Sequence, residues 1–346
     1  MFTSTGIESL TGSVLIVAEL SANHGHSLKT ALETVKAAKD AGADAIKLQT
    51  YTPDTITIDC DNEYFQIRQG TIWDGTTLFR LYKEAYMPWE WHEAIRDEAL
   101  KQGLGFFSTP FDFTAVDFLE DLGVPLYKIA SFEINDLPLI RYAAEKKKPM
   151  ILSTGIATIG EIAEAVETCR KAGNGNITLL KCTSAYPAPP EKANLATIPN
   201  MRDTFGVKVG LSDHTEGLAV AVSAVALGAT IIEKHFILDR GIGGPDSSFS
   251  MEPEEFSHMV HAIRTAEKAI GTVSYNYDTD SIQGRNFARS LFAVEDIQPG
   301  ETFTKKNVKS IRPGYGLPPK LIDEICGKRA RMAIKRGTPL KLNMIR

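Results

Sequence analysis

Residues 14–50 read VLIVAELSANHGHSLKTALETVKAAKDAGADAIKLQT and contain the unit from which the fold can be predicted. A short apolar run at 14–20 is followed by a segment of helical period at Ser27–Ala41 and by a second apolar run at 44–50. Short runs rich in Val, Ile and Leu indicate buried strands, and apolar residues at helical spacing indicate an amphipathic helix. The stretch therefore predicts a strand, a crossover helix and a parallel strand.

The same pattern continues along the chain. The strand-like runs are VLIVAEL (14–20), DAIKLQT (44–50), GFFSTPF (105–111), LYKIAS (126–131), PMILSTG (149–155), ITLLKCTS (177–184), KVGLSDH (208–214) and TIIEKHF (230–236). Eight such runs, most of them followed by a helix-like segment, are typical of a (β/α)8 TIM barrel. A doubly wound sheet is the alternative, but no Gly-rich phosphate loop follows the first run. We therefore predict a TIM barrel.

Two regions depart from the simple alternation. Tyr51–Met87 is a long insertion before the predicted helix Pro88–Gln102, on the face where barrel enzymes keep their substrate loops, and it can act as a lid. After the last barrel helix the sequence becomes polar and then changes to short strand-like pieces with turns. We predict a barrel domain over 1–271, a linker over 272–285 and a small β-rich domain over 286–346. A domain of about 60 residues is near the lower limit for independent folding, so we expect it to dock on its own barrel or a neighbour's.

Composition narrows the class of protein. The chain has 346 residues, 43% of them hydrophobic, and a formal net charge of -5 without a Lys/Arg-rich block, so nucleic acid is not an expected partner. No apolar run approaches the roughly 20 residues of a membrane span, and the N-terminal MFTSTGIESLTG has no signal-peptide pattern. We expect a cytoplasmic protein that does not enter a membrane, with its four dispersed cysteines reduced.

The ends of all eight predicted strands are polar. They carry Glu19; Lys47 and Gln49; Ser108 and Thr109; Lys128 and Ser131; Ser153 and Thr154; Lys181, Thr183 and Ser184; Ser212, Asp213 and His214; Glu233, Lys234 and His235. Barrel enzymes carry catalysis at this face, so eight polar ends in a row indicate one shared site.

Two histidines end adjacent strands. His214 and His235 can converge on one divalent cation and leave its other positions open to water and substrate, although the spacing alone also fits two unrelated histidines. We expect His92, His258 and His261 to be surface residues.

Lys47 and Lys128 lie at buried positions of the strand pattern. A buried Lys is costly unless it meets an anion, so both are candidates for a phosphate or carboxylate, helped by Ser and Thr hydroxyls. A Schiff base on one Lys and a structural pair with a Glu are the alternatives. Glu19, at the same level, is available to bind a sugar hydroxyl or exchange a proton.

Several motifs together resemble the sialic acid synthase family. They are Ala18-Glu-Leu-Ser-Ala-Asn-His24, Lys47-Leu-Gln-Thr50, Phe107-Ser-Thr-Pro-Phe111, Tyr127-Lys-Ile-Ala-Ser131, Leu211-Ser-Asp-His214 and Glu233-Lys-His235. Phe287-Ala-Arg-Ser-Leu and Ser310-Ile-Arg-Pro-Gly resemble that family's antifreeze-like domain (SAF, β-clip). The match covers nearly the whole chain in order. The Glu-Leu-Ser-Ala-Asn-His opening and Gln49-Thr-Tyr-Thr-Pro-Asp54 resemble the pseudaminate branch more than the neuraminate or legionaminate branches.

The resemblance implies a transferase that condenses phosphoenolpyruvate with an open-chain amino sugar and water, releasing phosphate by C–O cleavage. For the pseudaminate branch the sugar is 2,4-diacetamido-2,4,6-trideoxy-L-altrose, and the product serves carbohydrate biosynthesis such as flagellin glycosylation. A divalent cation, Mn2+ first and Co2+ or Mg2+ as alternatives, is implied on His214 and His235. A domain-swapped homodimer is also implied, in which Arg312 of the small domain enters the other subunit's barrel.

The resemblance also assigns the remaining site residues. Phosphoenolpyruvate-binding positions are Lys47, Thr109, Lys128, Ser131, Ser153 and Ser212; catalytic positions are Glu19 and Glu233; sugar-binding positions are Gln49, Tyr186, Asp246 and Arg312. One departure is Ser184 before Ala-Tyr-Pro, where the neuraminate branch has Asn, so we carry over no role for Ser184.

Two other hypotheses follow from parts of the sequence. A Schiff-base aldolase explains one Lys and leaves the histidines without a role, and borohydride trapping with a keto acid separates the two enzymes. A carbohydrate- or ice-binding protein requires a flat, Thr-rich face, which the sequence of Ala288–Arg346 does not show.

Overall fold

The first compact unit of the protein is a closed barrel of eight parallel strands, which confirms the predicted TIM barrel and excludes the doubly wound sheet. The structure is a computed structural model and describes residues 13–276 and 279–346. Strands pair in chain order and the last pairs with the first, so Glu19 lies between Lys47 and His235. The strands are β1 (Leu15–Glu19), β2 (Ala45–Thr50), β3 (Gly105–Pro110), β4 (Tyr127–Ile129), β5 (Met150–Ser153), β6 (Ile177–Cys182), β7 (Lys208–Asp213) and β8 (Ile231–His235).

Helices connect successive strands of the barrel. They are α1 (Leu28–Asp40), α2 (Pro53–Ile56), α3 (Leu78–Ala85), α4 (His92–Lys101), α5 (Phe113–Asp121), α6 (Leu137–Glu145), α7 (Ile159–Lys171), α8 (Thr197–Phe205), α9 (Ala219–Ala226) and α10 (Pro253–Ile270). At the start of α1 the Ser27 hydroxyl accepts a hydrogen bond from the Thr30 N–H, a cap that contributes about 1 kcal/mol. The face that α1 buries repeats every three to four residues, as the sequence predicts: Ala31, Thr34, Val35 and Ala38.

The barrel interior changes character along its strands. At the amino ends the inward side chains form an apolar layer, here called the floor: Leu15, Val17, Ala45, Phe107, Leu126, Ile151, Leu180 and Ile231. On a strand the next inward position is two residues later, so the same strands place their polar ends inward at the other end of the barrel. Gly210 gives the β7 backbone the room it needs, because a Cβ there would lie 2.6 Å from the Ile231 carbonyl oxygen.

The insertion Tyr51–Met87 follows β2 at the carboxyl end of the barrel. It contains α2, α3 and an antiparallel bridge between Gln66 and Thr77. The helix predicted after it begins as a 3-10 turn at Trp89–Trp91 and continues as α4. Movement of the insertion as a lid stays a prediction.

The predicted surface position of His92 is wrong. Its side chain is fully buried at the start of α4, with Nε2 2.9 Å from Thr50 Oγ1 and Nδ1 3.3 Å from the Pro88 carbonyl oxygen. Burial lowers the pKa of His92 to about 4. The sequence pattern could not show this, because only the fold brings the end of β2 to this imidazole. His258 and His261 are exposed on α10, as predicted.

The second compact unit, Thr272–Arg346, has a hydrophobic core of its own. It contains the antiparallel pair β9 (Ser290–Ala293) and β10 (Val308–Ile311) and, later, the short helix α12 (Ile322–Ile325). A short helix, α11 (Thr279–Gly284), lies where the sequence predicted an irregular linker. The core residues are Leu291, Ala293, Ile297, Phe303, Val308, Ile325, Ala330, Ile334, Leu340 and Ile345.

Within residues 13–276 and 279–346, no helix combines the length and the apolar character needed to cross a membrane. Residues 1–12, where no signal peptide is expected, lie outside the described part, as do residues 277 and 278 of the predicted linker.

Candidate active site

A cavity of about 620 Å³ opens at the carboxyl ends of the barrel strands, and the sequence-predicted residues of the barrel converge on it. Those that line it are Glu19, Lys47, Gln49, Lys128, Ser131, Ser153, Tyr186, Ser212, His214, Glu233, His235 and Asp246. Thr109 lies behind Lys47 and accepts a hydrogen bond from its Nζ at 3.2 Å. Arg312 belongs to the second unit, where its side chain is exposed.

Lys47 and Glu19 form a buried ion pair between β1 and β2. Nζ of Lys47 lies 2.5 Å from Oε2 of Glu19, and the side chains are 3% and 1% exposed. Burial raises the pKa of Glu19 in spite of Lys47. For Lys47, burial acts in the opposite direction to Glu19 and Glu233, and the two carboxylates prevail and raise its pKa. Lys47 therefore stays charged, and Glu19 is a carboxyl group that can carry a proton.

A second buried ion pair joins Lys128 of β4 to Glu233 of β8. The Lys128 ammonium donates to both carboxylate oxygens, at 2.7 and 3.0 Å, and the Ser212 hydroxyl donates to the same group at 3.1 Å. Burial alone would raise the pKa of Glu233, but Lys128 and Lys47 lower it. Burial lowers the pKa of Lys128. The two pairs balance their charges, yet both ammonium groups line the cavity, where an entering anion can reach them.

Hydroxyl groups complete the surroundings of the two lysines. The Ser153 hydroxyl is buried and has no hydrogen-bond partner among the described residues. The Ser131 hydroxyl accepts from the Gly155 N–H at 3.1 Å, and a Cβ on Gly155 would come within 2.8 Å of that oxygen. Because a buried hydroxyl without a partner is costly, Ser153 is suited to donate to an oxyanion in the cavity.

The imidazoles of His214 and His235 lie side by side, with ring centroids 5.2 Å apart. Nδ1 of His214 is 3.2 Å from the Thr183 carbonyl oxygen, which can only accept, so in the neutral ring the proton is on Nδ1 and the lone pair on Nε2. His235 is kept neutral because burial, reinforced by His214, holds its pKa well below the usual value. Its Nδ1 is buried without a hydrogen-bond partner in the described part of the chain.

This pair of rings fits a divalent cation. Imidazole lone pairs are common ligands of such ions, and a carboxylate that does not touch the ion usually orients the ring. Asp246 is placed for that role, with Oδ2 3.6 Å from His235 Nδ1. Burial lowers the pKa of His214, but Cys182, Asp213 and Glu233 together outweigh burial and raise it. Across residues 13–276 and 279–346 there is no group of three or more His, Cys, Asp or Glu side chains that could hold a metal ion.

A hydrogen-bond chain connects Glu19 to Asp246, the carboxyl group next to His235. Gln49 Nε2 donates to Glu19 Oε1 at 3.2 Å and to Ser21 Oγ at 2.9 Å, and Ser21 donates to Asp246 Oδ2 at 2.5 Å. Burial raises the pKa of Asp246. Ser21 has φ +47°, which is uncommon for a residue other than Gly and directs its hydroxyl into this chain.

The residues of the cavity that the sequence did not predict include Ser21, Glu133 and Trp73. Burial raises the pKa of Glu133 to about 7, and its Oε2 has no hydrogen-bond partner among the described residues. Trp73 comes from the insertion and packs against Tyr186, with ring centroids 5.2 Å apart. Proximity to the Tyr127–Ser131 motif was the only available signal for Glu133. Trp73 had none, because tertiary contacts set the path of the insertion.

The sequence matches known protein families and relatives over most of its length. Residues 34–275 match the NeuB family, and residues 288–346 match the SAF domain. The chain is 49% identical over 328 residues to the pseudaminic acid synthase of Campylobacter jejuni subsp. jejuni, with 95% of each chain covered. It is 48% identical over 331 residues to the pseudaminic acid synthase of Helicobacter pylori, with 95% of this chain and 97% of the relative covered.

A solved structure agrees with these relatives. The N-acetylneuraminic acid synthetase of Leptospira borgpetersenii, in complex with citrate, matches with a TM-score of 0.70 and 32% identity, covering 79% of this chain and 92% of that one. The resemblance drawn from the sequence motifs is confirmed. The protein belongs to the NeuB family, the sialic acid synthases, and its C-terminal unit contains a SAF domain.

Proposed function

We propose that the protein condenses phosphoenolpyruvate with 2,4-diacetamido-2,4,6-trideoxy-L-altrose and water, giving pseudaminic acid and inorganic phosphate. The observation that carries this proposal is the pairing of two buried ammonium groups, Lys47 and Lys128, with two adjacent imidazoles around one cavity. The choice of sugar is supported by the relatives, because the pseudaminic acid synthases are closer in sequence than the N-acetylneuraminic acid synthetase.

Phosphoenolpyruvate is a multiply charged anion and is assigned to the lysine side of the cavity. Lys47 and Lys128 supply the charge, and hydroxyls supply directed hydrogen bonds. The hydroxyls are those of Thr109, Ser131, Ser153 and Ser212. The glutamates already hold the two ammonium groups in the cavity wall. Phosphoenolpyruvate can therefore contact both ammonium groups without moving them.

Glu19 and Glu233 are assigned the catalytic roles. C3 of phosphoenolpyruvate adds to the aldehyde carbon, water adds to the resulting cation at C2, and phosphate leaves with cleavage of the C–O bond. Glu19, whose pKa is raised by burial, is suited to exchange a proton in these steps. Glu233, whose pKa is lowered, stays ionised and stabilises positive charge at C2.

The sugar is assigned to the imidazole side, where Gln49, Tyr186 and Asp246 line the cavity. Synthases of the NeuB family are generally metal-dependent. His214 and His235 would hold the cation, for which we propose Mn2+ with Co2+ or Mg2+ as alternatives. When bound, the cation would polarise the sugar's aldehyde oxygen. The Thr183 carbonyl keeps the His214 ring oriented, and Asp246 lies close enough to approach His235 when the site is filled.

We further propose a domain-swapped homodimer, in which Arg312 contacts the sugar's acylamino group in the other subunit. Mixing His214→Ala with Arg312→Ala protein tests it. In a swapped dimer one site of each mixed dimer receives both intact residues, so activity returns on mixing. Two inactive proteins that stay inactive after subunit exchange would contradict the swap.

We also propose that the reaction takes place in the cytoplasm, where phosphoenolpyruvate is made. Its product would serve carbohydrate biosynthesis such as flagellin glycosylation.

The experiment for the reaction itself is phosphate release from phosphoenolpyruvate by chelator-treated protein, with Mn2+ restored or withheld. The sugars to compare are the diacetamido-trideoxy-altrose, N-acetylmannosamine and the legionaminate precursor. Metal-dependent release with the altrose derivative alone is expected. Release with another sugar would keep the chemistry and reject the substrate, and no sugar-dependent release would reject the proposed reaction.

A further inference from the structure

One side of the cavity has a chemistry that the condensation alone does not explain. The insertion supplies this side, mostly with apolar and aromatic side chains: Tyr51, Ile56, Ile67, Trp73, Leu78, Leu81, Tyr82 and Ala85, besides Gln69 and Thr71. The strand ends contribute the buried charges and hydroxyls described above. The part of the wall that the insertion contributes is here called the apolar lining.

Trp73 is held in place within the apolar lining. Its indole Nε1 donates to the Pro245 carbonyl oxygen at 2.9 Å, which ties the insertion to the loop after β8. Its ring packs against Tyr186 and Phe249, with centroid distances of 5.2 and 6.5 Å. Because its single N–H is already bonded to the protein, Trp73 presents only apolar surface to a ligand.

Aromatic rings continue from the imidazoles: Tyr186 and Trp73 line the cavity, and Phe249 packs against both without lining it. Tyr186 lies 4.5 Å from His214, and Phe249 lies 5.0 Å from His235, both between ring centroids. Trp73 follows as the next ring beyond Tyr186. A sugar whose reacting carbon is at the imidazoles and whose chain runs along these rings brings its far end to Trp73.

We propose that Trp73 is a specificity-determining residue, which selects a sugar whose chain ends in a methyl group over one that ends in a hydroxymethyl group. The inference rests on the proposed function and adds that the site recognises the methyl group at the end of the sugar chain. A methyl group buries apolar surface against the indole. A hydroxyl group in the same place loses water and finds no free donor or acceptor on Trp73.

Apolar pockets of other enzymes indicate how large the preference in kcat/KM should be. One methylene or one added hydroxyl in such a pocket changes kcat/KM by about 10-fold to 100-fold. We therefore expect the wild-type protein to prefer the methyl-ended sugar by about that factor.

The test compares two sugars that differ in one oxygen atom: 2,4-diacetamido-2,4,6-trideoxy-L-altrose and its 6-hydroxy counterpart. The readout is the ratio of their kcat/KM values, which loss of folded protein does not move. Trp73→Ser removes the apolar surface, and we expect the ratio to fall about tenfold or more. Trp73→Phe keeps an aromatic ring and loses only the hydrogen bond to Pro245, so we expect both kcat/KM values to fall together while their ratio is kept.

Tyr64→Ala is the matched control, because Tyr64 belongs to the same insertion and is 80% exposed. It should leave both the rates and the ratio unchanged. A Trp73→Ser ratio equal to the wild-type ratio, with the wild type active on the methyl-ended sugar, would overturn the role of Trp73 and leave the proposed function standing. A wild-type protein that turns over neither sugar would reject the proposed function, and the role of Trp73 with it.

Discussion

The barrel interior has two layers built from the same eight strands, and they bury opposite kinds of side chain. Val17 and Ile151 belong to the floor, where no side chain is more than 2% exposed and all are apolar. Two residues further along the same strands, Glu19 and Ser153 are equally buried, in the layer that lines the cavity. We call this second layer the mouth. Because the same strands build both layers, the floor and the mouth differ only in their side chains.

The floor and the mouth contribute differently to the stability of the barrel. Each Å² of apolar surface that the floor removes from water contributes about 25 cal/mol. Buried ions lose hydration, and their mutual attraction offsets that loss only while every pair is complete. We therefore propose that the mouth serves ligand binding and the floor serves stability, so variants in the two layers should separate activity from folding.

The largest effect is expected from removing an imidazole of the mouth. His214→Ala and His235→Ala should each lower turnover at least about 1000-fold at any attainable Mn2+ concentration, because one of two proposed metal ligands is lost. The free energy of unfolding should change by less than about 1 kcal/mol. Phosphate release across a Mn2+ titration and urea unfolding measure the two. His258→Ala, on the exposed face of α10, is the matched control. Full activity of either variant after chelation would remove the metal from the mechanism.

Breaking an ion pair of the mouth should affect both properties. Lys128→Met leaves the Glu233 carboxylate buried without its nearest cation, so the free energy of unfolding should fall by about 3 kcal/mol. The kcat/KM for phosphoenolpyruvate should fall about 100-fold.

The double variant Lys128→Met/Glu233→Gln removes both charges and provides the control. It should recover most of the lost stability and none of the activity, as seen by urea unfolding and phosphate release. Recovery of activity would mean that the pair is structural and that Lys128 does not bind the substrate.

The next effect concerns stability alone and comes from His92, a buried polar side chain behind the barrel wall. Its pKa is about 4 in the folded protein against about 6.5 in an unfolded chain, so the unfolded chain takes up the proton first as the pH falls. The stabilisation is complete above pH 6.5 and is lost between about pH 6.5 and 4, by up to about 3 kcal/mol.

His92→Gln should remove this part of the acid dependence, and urea unfolding at a series of pH values measures it. His258→Gln should keep the wild-type slope. Equal slopes for wild type and His92→Gln would show that His92 is accessible to protons in the folded state.

The smallest effect is expected in the floor. Ile231→Val removes one methylene two residues before Glu233 and should lower the free energy of unfolding by about 1 kcal/mol. The kcat/KM for phosphoenolpyruvate should stay within about twofold of wild type, since no ligand contact changes. A large loss of activity without a loss of stability would show that the two layers are not independent.

The fold and most of the mouth are predictable from the sequence for one physical reason. Parallel strands with crossover helices bring all their carboxyl ends to one face, so polar residues at strand ends, such as Lys47 and Glu233, must meet. Family motifs then suggest roles that spacing leaves open, and the sugar-binding roles of Gln49 and Asp246 stay predictions.

The remaining features depend on tertiary contacts that have no local signal. Ser21 reaches the site through a left-handed backbone conformation, and Trp73 through the path of a long insertion. His92 reads as a surface residue until β2 and α4 are packed together. These residues could be located only in three dimensions.

The most direct test of the central claim, that the mouth joins phosphoenolpyruvate to a sugar, is to follow the oxygen that bridges C2 and phosphorus. Phosphoenolpyruvate carrying a heavy isotope at that oxygen is turned over with the diacetamido-trideoxy-altrose and the cation, and both products are analysed by mass spectrometry. The account predicts that the label leaves with the phosphate, because water adds at C2 and the C–O bond breaks. Label retained in the keto acid would contradict it, since phosphate would then be lost by attack at phosphorus and the charged mouth would have another role.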